Sequence, residues 1–230
     1  MQHPSLYYRR MAVAGMLFAG AAAVPTARAD DTVPPVQYSG RATVVDATVK
    51  VLTANAHVVL GDTGYLDPTG GTREDTVAQI DNPPPLGLHS STIDAITSGA
   101  NGTASSHAEV EKLAVTISAL KITADVIEAD TTAVCDQSSQ TVAPSGSSTI
   151  VNLKINGKGY AYSGKPNQKI SIPGVATIIL NEQSQPDVNS YSVNAIHVIV
   201  PGAPGVASAN VIISHAESGI VSCPCNTPVP

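Results

Sequence analysis

Two histidines and a glutamate near the carboxyl end of the chain have side chains that could do acid–base or metal chemistry. Glu182 ends one strand-like segment, and His197 and His215 lie in the next two. Two imidazoles and a carboxylate on neighbouring strands could bind zinc or exchange protons with a substrate. Each histidine, however, alternates with apolar residues, in NAIHVIV and in VIISHAES. That alternation favours half-buried structural histidines, with a metal-dependent hydrolase as the alternative.

A second group of carboxylates lies in the Gly-rich stretch GDTGYLDPTGGTREDT. Asp62, Asp67, Glu74 and Asp75 fall within it, and clustered carboxylates can bind calcium. The stretch lacks the D-x-D-x-D-G spacing of a calcium loop, and Asp before Thr-Gly or Pro is common in turns. We therefore predict a solvated turn and no cofactor, with calcium as the alternative.

Other catalytic or ligand-binding signals are weak. The sequence contains neither G-x-S-x-G nor H-E-x-x-H, so we expect a protein that is not an enzyme. Tyr160 and Tyr162 are two residues apart and would share one face of a strand, where they could form a small glycan-binding platform. The competing interpretation is that both rings cover the sheet surface.

The structure that positions these residues is expected to begin after residue 29. A short segment ending in two arginines, the apolar run MAVAGMLFAGAAAV and the sequence Ala27-Arg28-Ala29 predict a cleaved signal peptide over residues 1–29. General secretion and twin-arginine export both stay open. Residues 30–230 are expected to form a single domain with a short disordered tail and no evident membrane anchor.

The composition of residues 30–230 limits the possible partners. Without Arg9, Arg10 and Arg28, nine basic residues face 18 acidic ones, a formal charge of −9. Nucleic acids and anionic membrane surfaces need a cationic face, so both are excluded as expected partners. Every Met and the single Phe precede residue 30, and the chain has no Trp. The core must therefore be built from Val, Ile, Leu and Ala.

The pattern of apolar residues predicts a β-fold. Short runs rich in Val, Ile and Thr alternate with clusters of Gly, Pro, Asn and Ser, which is typical of antiparallel strands joined by turns. No repeat with a period of about 20 to 50 residues is present, so a solenoid or propeller is not indicated. We expect an all-β fold, an antiparallel β-sandwich with Greek-key-like connections.

Residues 106–121 fit either a helix or a strand. Apolar residues recur there at helical spacing, and Ser106 and Glu109 could form a capping box. Leu113 and Ile117 also belong to a strict alternation, and the β-branched run Val-Thr-Ile lowers helix propensity. We predict a strand.

The cysteines suggest a covalent link. Cys135 and Cys223 end two similar segments, ITADVIEADTTAVC and ANVIISHAESGIVSC. An oxidising compartment permits a disulfide, and the simplest geometry places the two strands side by side with their ends joined. Cys225 could compete for Cys135, stay free or join another chain. No C-x-x-C pair is present, so a zinc or redox site is not indicated.

Several segments, in order along the chain, resemble the choice-of-anchor P family of bacterial secreted or surface proteins. They are YSGRATVV, GDTGYLDPTGG, ITADVIEA, SGKPNQKISIPG, LNEQ, YSVNAIHVIV and ANVIISHAES. The resemblance implies an exported β-rich domain and assigns no catalytic or ligand-binding residues. The segment after Cys225 is NTPVP, which predicts release and not anchoring. We expect a secreted, non-enzymatic domain with a structural or adhesion-type role, whose partner is an extracellular protein or glycan.

Overall fold

A computed structural model describes most of the chain beyond the predicted signal peptide. The described residues are 34–51, 54–82, 86–117, 119–202 and 208–224. The predictions for residues 1–29, for Cys225 and for the tail after it concern residues outside these ranges.

Fifteen β-strands make up most of the described residues. In chain order they are β1 (Gln37–Val51), β2 (Ala54–Asp62), β3 (Gly71–Val77), β4 (Ile80–Asn82), β5 (Leu86–Ser90), β6 (Thr92–Ala100), β7 (Thr103–Ile117), β8 (Leu120–Asp136), β9 (Thr141–Val151), β10 (Lys154–Ile155), β11 (Lys158–Gly159), β12 (Gln168–Ile172), β13 (Ala176–Ser184), β14 (Ser190–Val200) and β15 (Ser208–Ser222). The all-β prediction is confirmed.

The strands form two antiparallel sheets, consistent with the predicted β-sandwich. In the first sheet the order is β12-β13-β14-β15-β1-β2, so the last strand pairs with the first. In the second sheet β7 and β8 are the long central strands. The shorter strands β5 and β6 both pair with β7, and β9 and β10 both pair with β8. Strand β3 pairs with β6, β4 with β5, and β11 with β10.

The space between the sheets is filled by aliphatic side chains, as the composition predicted. The main core cluster consists only of Val, Ile, Leu and Ala from both sheets, and Val44, Ile127 and Ile196 are among its fully buried members. Removing each large aliphatic side chain from water contributes about 1.5 to 3 kcal/mol. This core holds the two sheets together and fixes which side chains point outward.

Side-chain alternation reverses at one level of the first sheet, which we call the reversal row. Asn181, Ser214 and Gly61 have positive φ angles of 50°, 55° and 59° in β13, β15 and β2. The two other strands at this level show the reversal as two consecutive buried residues. These are Val44 and Val45 in β1, and Ala195 and Ile196 in β14. A residue with positive φ turns the following peptide, so the next side chains point to the opposite face. Simple period-two counting therefore fails beyond this row.

The ambiguous segment 106–121 lies in β7, a turn and the start of β8, so the strand prediction is confirmed. Lys112 has a φ of 48° and reverses the alternation in β7, so that Val110 and Leu113 both point inward. The apolar residues have helical spacing in the sequence because the strand alternation reverses once, at Lys112. Within the described ranges no helix has the length and apolar character needed to cross a membrane.

Two expectations about which residues lie in strands were wrong. Glu74 and Asp75, expected in a loop, lie in β3, where they pair with Ile96 and Ala95 of β6. Tyr160 and Tyr162, expected on one face of a strand, lie in a segment without strand structure that connects β11 to β12. The strand β3, GTREDTV, is mostly polar and charged and pairs with β6 at an edge of the second sheet, a position where such residues are readily accepted although their composition suggests a turn.

The predicted disulfide between Cys135 and Cys223 is present, with a Cα–Cα distance of 5.6 Å. The expected arrangement of its strands is wrong, however. Cys135 belongs to β8 of the second sheet, and Cys223 follows β15 of the first, so the two strands face each other and do not pair. The bond joins the two sheets at one end, beside a smaller cluster that includes Tyr38, Leu66 and Ile220.

Candidate functional site

The predicted residues Glu182, His197 and His215 lie on the outer face of the first sheet in one hydrogen-bonded network. His197 Nδ1 lies 2.8 Å from Glu182 Oε2, and its Nε2 lies 2.9 Å from Asn210 Oδ1. Asn194 Nδ2 donates to Glu182 Oε2 at 2.7 Å, and Asn194 Oδ1 lies 2.7 Å from His215 Nδ1. The structure therefore brings Glu182 and His197 into contact, and His215 joins them through Asn194.

The reversal row explains why these polar groups meet. Immediately beyond it, five strands place one residue each at the same level, and we call these residues the polar row: Glu182, Asn194, His215, Thr43 and Asp62. Cross-strand neighbours on one face lie close enough for their side chains to bond. The reversal turns all five outward together, so the network is a consequence of backbone geometry.

His215 is held in an environment that opposes its charged form. Burial, followed by the nearby guanidinium of Arg41, lowers the pKa of His215 below the ordinary histidine value of 6.5. Burial likewise raises the pKa of Glu217, whose Oε2 lies 3.9 Å from His215 Nε2. Both shifts favour the uncharged forms of His215 and Glu217, as expected for side chains that are packed into the sheet surface.

Both ring nitrogens of His197 hydrogen-bond to protein oxygens, Nδ1 to Glu182 and Nε2 to Asn210. Glu182 Oε2 serves both His197 and Asn194. The arrangement can orient side chains and join the three strands β13, β14 and β15 laterally, and this agrees with the structural interpretation of both histidines.

Of the four carboxylates considered for calcium, Glu74 lies in β3, and the three aspartates each accept hydrogen bonds from protein donors. Asp62 forms a bidentate ion pair with Arg41, at 2.8 and 2.7 Å, and the guanidinium lowers the pKa of this carboxyl. Asp67 accepts from the backbone and hydroxyl of Thr69 within a turn. Asp75 Oδ2 accepts from the backbone N–H of Asp62 at 2.9 Å. Each carboxylate thus has a protein donor, as expected for turn and sheet-edge chemistry.

The two tyrosines considered for glycan binding are half-buried. Tyr160 and Tyr162 both pack against the main core cluster, and Tyr162 also hydrogen-bonds through its hydroxyl to Ser148. The ammonium group of Lys158 lies over the ring of Tyr160, 5.4 Å from its centre. A sugar platform needs open ring faces, so the position of these rings favours the interpretation in which they cover the core.

A different cluster, which sequence reasoning missed, lies on the outer face of the second sheet. His107 of β7 is directly opposite Asp130 of β8, and their Nδ1 and Oδ1 atoms are 2.8 Å apart. Glu128 Oε1 lies 3.7 Å from the same nitrogen, and Glu109 Oε2 lies 3.6 Å from Nε2. One ligand atom each from His107, Glu128 and Asp130 lies within 4.8 Å of the other two.

The electrostatics of this cluster reflect crowded carboxylates. The hydrogen bond to Asp130 is the main cause that raises the pKa of His107, and Glu128 and Glu109 add to it. Burial and the charge of Asp130 raise the pKa of Glu128. Beside the cluster lies an open surface depression of about 310 Å³, whose lining includes Glu74, Asp94, Glu109 and Glu111. The outer face of the second sheet is therefore strongly acidic.

A sequence signal for this cluster exists but is easily overlooked. HAE in β7 and EAD in β8 each place two ionisable residues two positions apart, which puts them on one face of a strand. The cross-strand register that aligns the two pairs is set by the hairpin between β7 and β8, with Ile117 opposite Leu120. The strand prediction for 106–121 does not by itself give this register, because register depends on the pairing partner.

Comparison with known proteins identifies no relative that informs function. No protein family and no curated protein matches this chain. Two crystal structures of Ail, the attachment invasion locus protein of Yersinia pestis, align with 81% of this chain and 99% of the Ail chain at 8% identity. One of them is a complex with the heparin analogue sucrose octasulfate. Their TM-scores of 0.18 and 0.17 are too low to support an argument.

Proposed function

We propose that this chain is an exported, extracellular β-domain with a structural or interaction role and that it is not an enzyme. The observation that carries the proposal is the environment of Glu182 and His197. The residues best suited by type to catalysis bond to one another and to Asn194 and Asn210 across neighbouring strands. A general base must instead direct a ring nitrogen or carboxylate oxygen towards a substrate, and both nitrogens of His197 face protein oxygens.

Two further features support a location outside the cell. The disulfide between Cys135 and Cys223 is of the kind that persists in oxidising compartments. The predicted signal peptide over residues 1–29 agrees with this, as does the resemblance to choice-of-anchor P proteins. A partner of this domain would be an extracellular protein or glycan, and the formal charge of −9 after cleavage argues against nucleic acid.

Matched variants separate a structural from a catalytic role for the network. Glu182→Gln and His197→Gln each weaken hydrogen bonds within the first sheet, so we expect each to lower the free energy of unfolding by about 1 to 2 kcal/mol. His89→Gln is the control, because His89 is an exposed histidine paired with Asp81. Urea unfolding of all four proteins measures the effect.

The same proteins should be tested for hydrolysis of ester, peptide, glycoside and phosphoester substrates. We expect no turnover by the wild type above the buffer rate, and we expect binding when it is applied to arrays of glycans and extracellular proteins. Hydrolysis that both Glu182→Gln and His197→Gln abolish, while His89→Gln preserves it, would refute the non-enzymatic role.

A further inference from the structure

Three neighbouring strands of the second sheet place carboxylates directly opposite one another. Asp94 of β6 pairs with Glu109 of β7, which pairs with Glu128 of β8, and we call these three residues the carboxylate row. Thr76 and Thr149 flank the row on its two sides, so neither the row nor its two flanking positions carry a basic residue. Like charges opposite each other destabilise a sheet. A bound cation would remove this repulsion.

The adjacent row supplies a nitrogen ligand at the same place. It contains His107 opposite Asp130, with Ile96 on the other side of His107. Because residues two apart in a strand share a face, Asp130 and Glu128 of β8 lie beside the same imidazole. One nitrogen, His107 Nδ1, is thus close to two carboxylates from a single strand.

The distances fit a small divalent cation. Zinc bonds to histidine nitrogen and carboxylate oxygen at about 2.0 to 2.2 Å, so neighbouring ligand atoms in a tetrahedral site lie about 3.4 Å apart. His107 Nδ1 lies 2.8 Å from Asp130 Oδ1 and 3.7 Å from Glu128 Oε1, distances that lie on either side of that value.

We propose that His107, Glu128 and Asp130 form a binding site for a divalent transition-metal ion on the outer face of the second sheet. The ion bonds to His107 Nδ1 in place of a proton, which passes to solvent, and to one oxygen of each carboxylate. Three protein ligands leave at least one coordination position for water or for a ligand from another molecule. The proposal goes beyond the function proposed above and does not depend on it, because the two rest on opposite faces of the sandwich.

Glu109 is the positioning residue of this site. With the metal on Nδ1, the remaining proton of His107 is on Nε2, which lies 3.6 Å from Glu109 Oε2. Metal-bound histidines usually donate their second N–H to such an oxygen, and this contact fixes the orientation of the ring. The cluster therefore contains both the ligands and the orienting carboxylate.

The donor set selects the kind of ion. Calcium and magnesium favour oxygen ligands, whereas imidazole suits zinc and its neighbours in the first transition row. Replacement of the single nitrogen donor should therefore abolish transition-metal binding, although three carboxylates would remain.

Isothermal titration calorimetry of the untagged protein with zinc chloride, in a non-chelating buffer, tests the site. We expect one zinc ion per chain, and we expect the high-affinity binding to be lost in His107→Gln and in Asp130→Asn. Glu109→Gln should weaken binding by about 10- to 100-fold with unchanged stoichiometry, as removal of an orienting partner does. His57→Gln is the matched control, since His57 lies 2.9 Å from Asp46 on the first sheet, and it should bind zinc like the wild type.

Circular dichroism and the Tm of each variant show whether it is folded, and only folded variants are compared. The absence of stoichiometric zinc in the wild type would overturn the proposal, as would full binding by folded His107→Gln. Displacement of zinc by a tenfold excess of calcium would contradict the nitrogen ligand. None of these results bears on export or on the network of the first sheet, so a failure here is distinct from a failure of the proposed function.

Discussion

Reduction of the bond between Cys135 and Cys223 is predicted to lower the free energy of unfolding more than any single polar substitution on the sheet surfaces. The bond closes a loop with a sequence separation of 88 residues. The loss of chain entropy in the unfolded state for a loop of this length corresponds to about 4 to 5 kcal/mol. For a domain of this size, 1 kcal/mol shifts the Tm by about 2 to 4 °C, so we expect a decrease of about 8 to 20 °C.

Urea unfolding of one preparation, oxidised and then reduced, measures this effect without a change of sequence. Since the bond restrains the unfolded chain, the reduced protein should also show a larger dependence of the free energy on urea concentration. The Cys225→Ser variant excludes exchange between thiols, and Cys135→Ala/Cys223→Ala in that background should match the reduced protein. Equal midpoints for the oxidised and reduced forms would refute the reasoning.

Three further predictions concern the first sheet. Gly61→Ala should destabilise the protein by about 1 to 3 kcal/mol more than Gly64→Ala: both glycines have positive φ, but a Cβ at Gly61 would meet Ile93 and Val44 at 2.9 Å, whereas nothing lies within 4 Å at Gly64. Equal effects in urea unfolding would contradict this. Ser214→Val should lower the free energy of unfolding by about 3 kcal/mol or more, because it places a β-branched residue at a φ of 55° and removes the hydrogen bond to Ile127 O. An unchanged Tm would count against the reversal row. Because the pKa of His215 is lowered by burial, the unfolded chain binds a proton more readily, so stability is present above pH 6.5 and is lost as the pH falls below it. His215→Gln should flatten the Tm between pH 7 and 5, and an identical pH dependence would show that another group is responsible.

The sequence contained enough information for the class of the fold and for the disulfide. Removal of the predicted signal peptide left an aliphatic chain with frequent turns, and the matching segments before Cys135 and Cys223 indicated their bond. Which strands pair could not be predicted in the same way. The strand that contains Cys135, β8, and the strand that precedes Cys223, β15, have similar sequences, yet they belong to opposite sheets.

The reversal row and the site around His107 were hidden for a related reason. Alternation along a strand predicts which face of the sheet a side chain occupies only while φ stays negative. Nothing in the sequence marks Ser214 as a residue with positive φ. The available signal in the sequence was a pair of adjacent apolar residues such as Val44 and Val45, both of which are buried in the structure. The His107 cluster depends on the register between β7 and β8, which a local pattern does not contain. Glu182 and His197 were singled out by type, and their contact arises from the pairing of β13 with β14.

Mass spectrometry of the intact protein recovered from the medium of cells that express the full chain tests the central claim most directly. If the protein is an exported extracellular domain, its mature chain should begin at Asp30, and peptide mapping without reduction should link Cys135 to Cys223. Recovery of the protein only inside the cell, with Met1 or the uncleaved leader retained and both cysteines as free thiols, would contradict that claim.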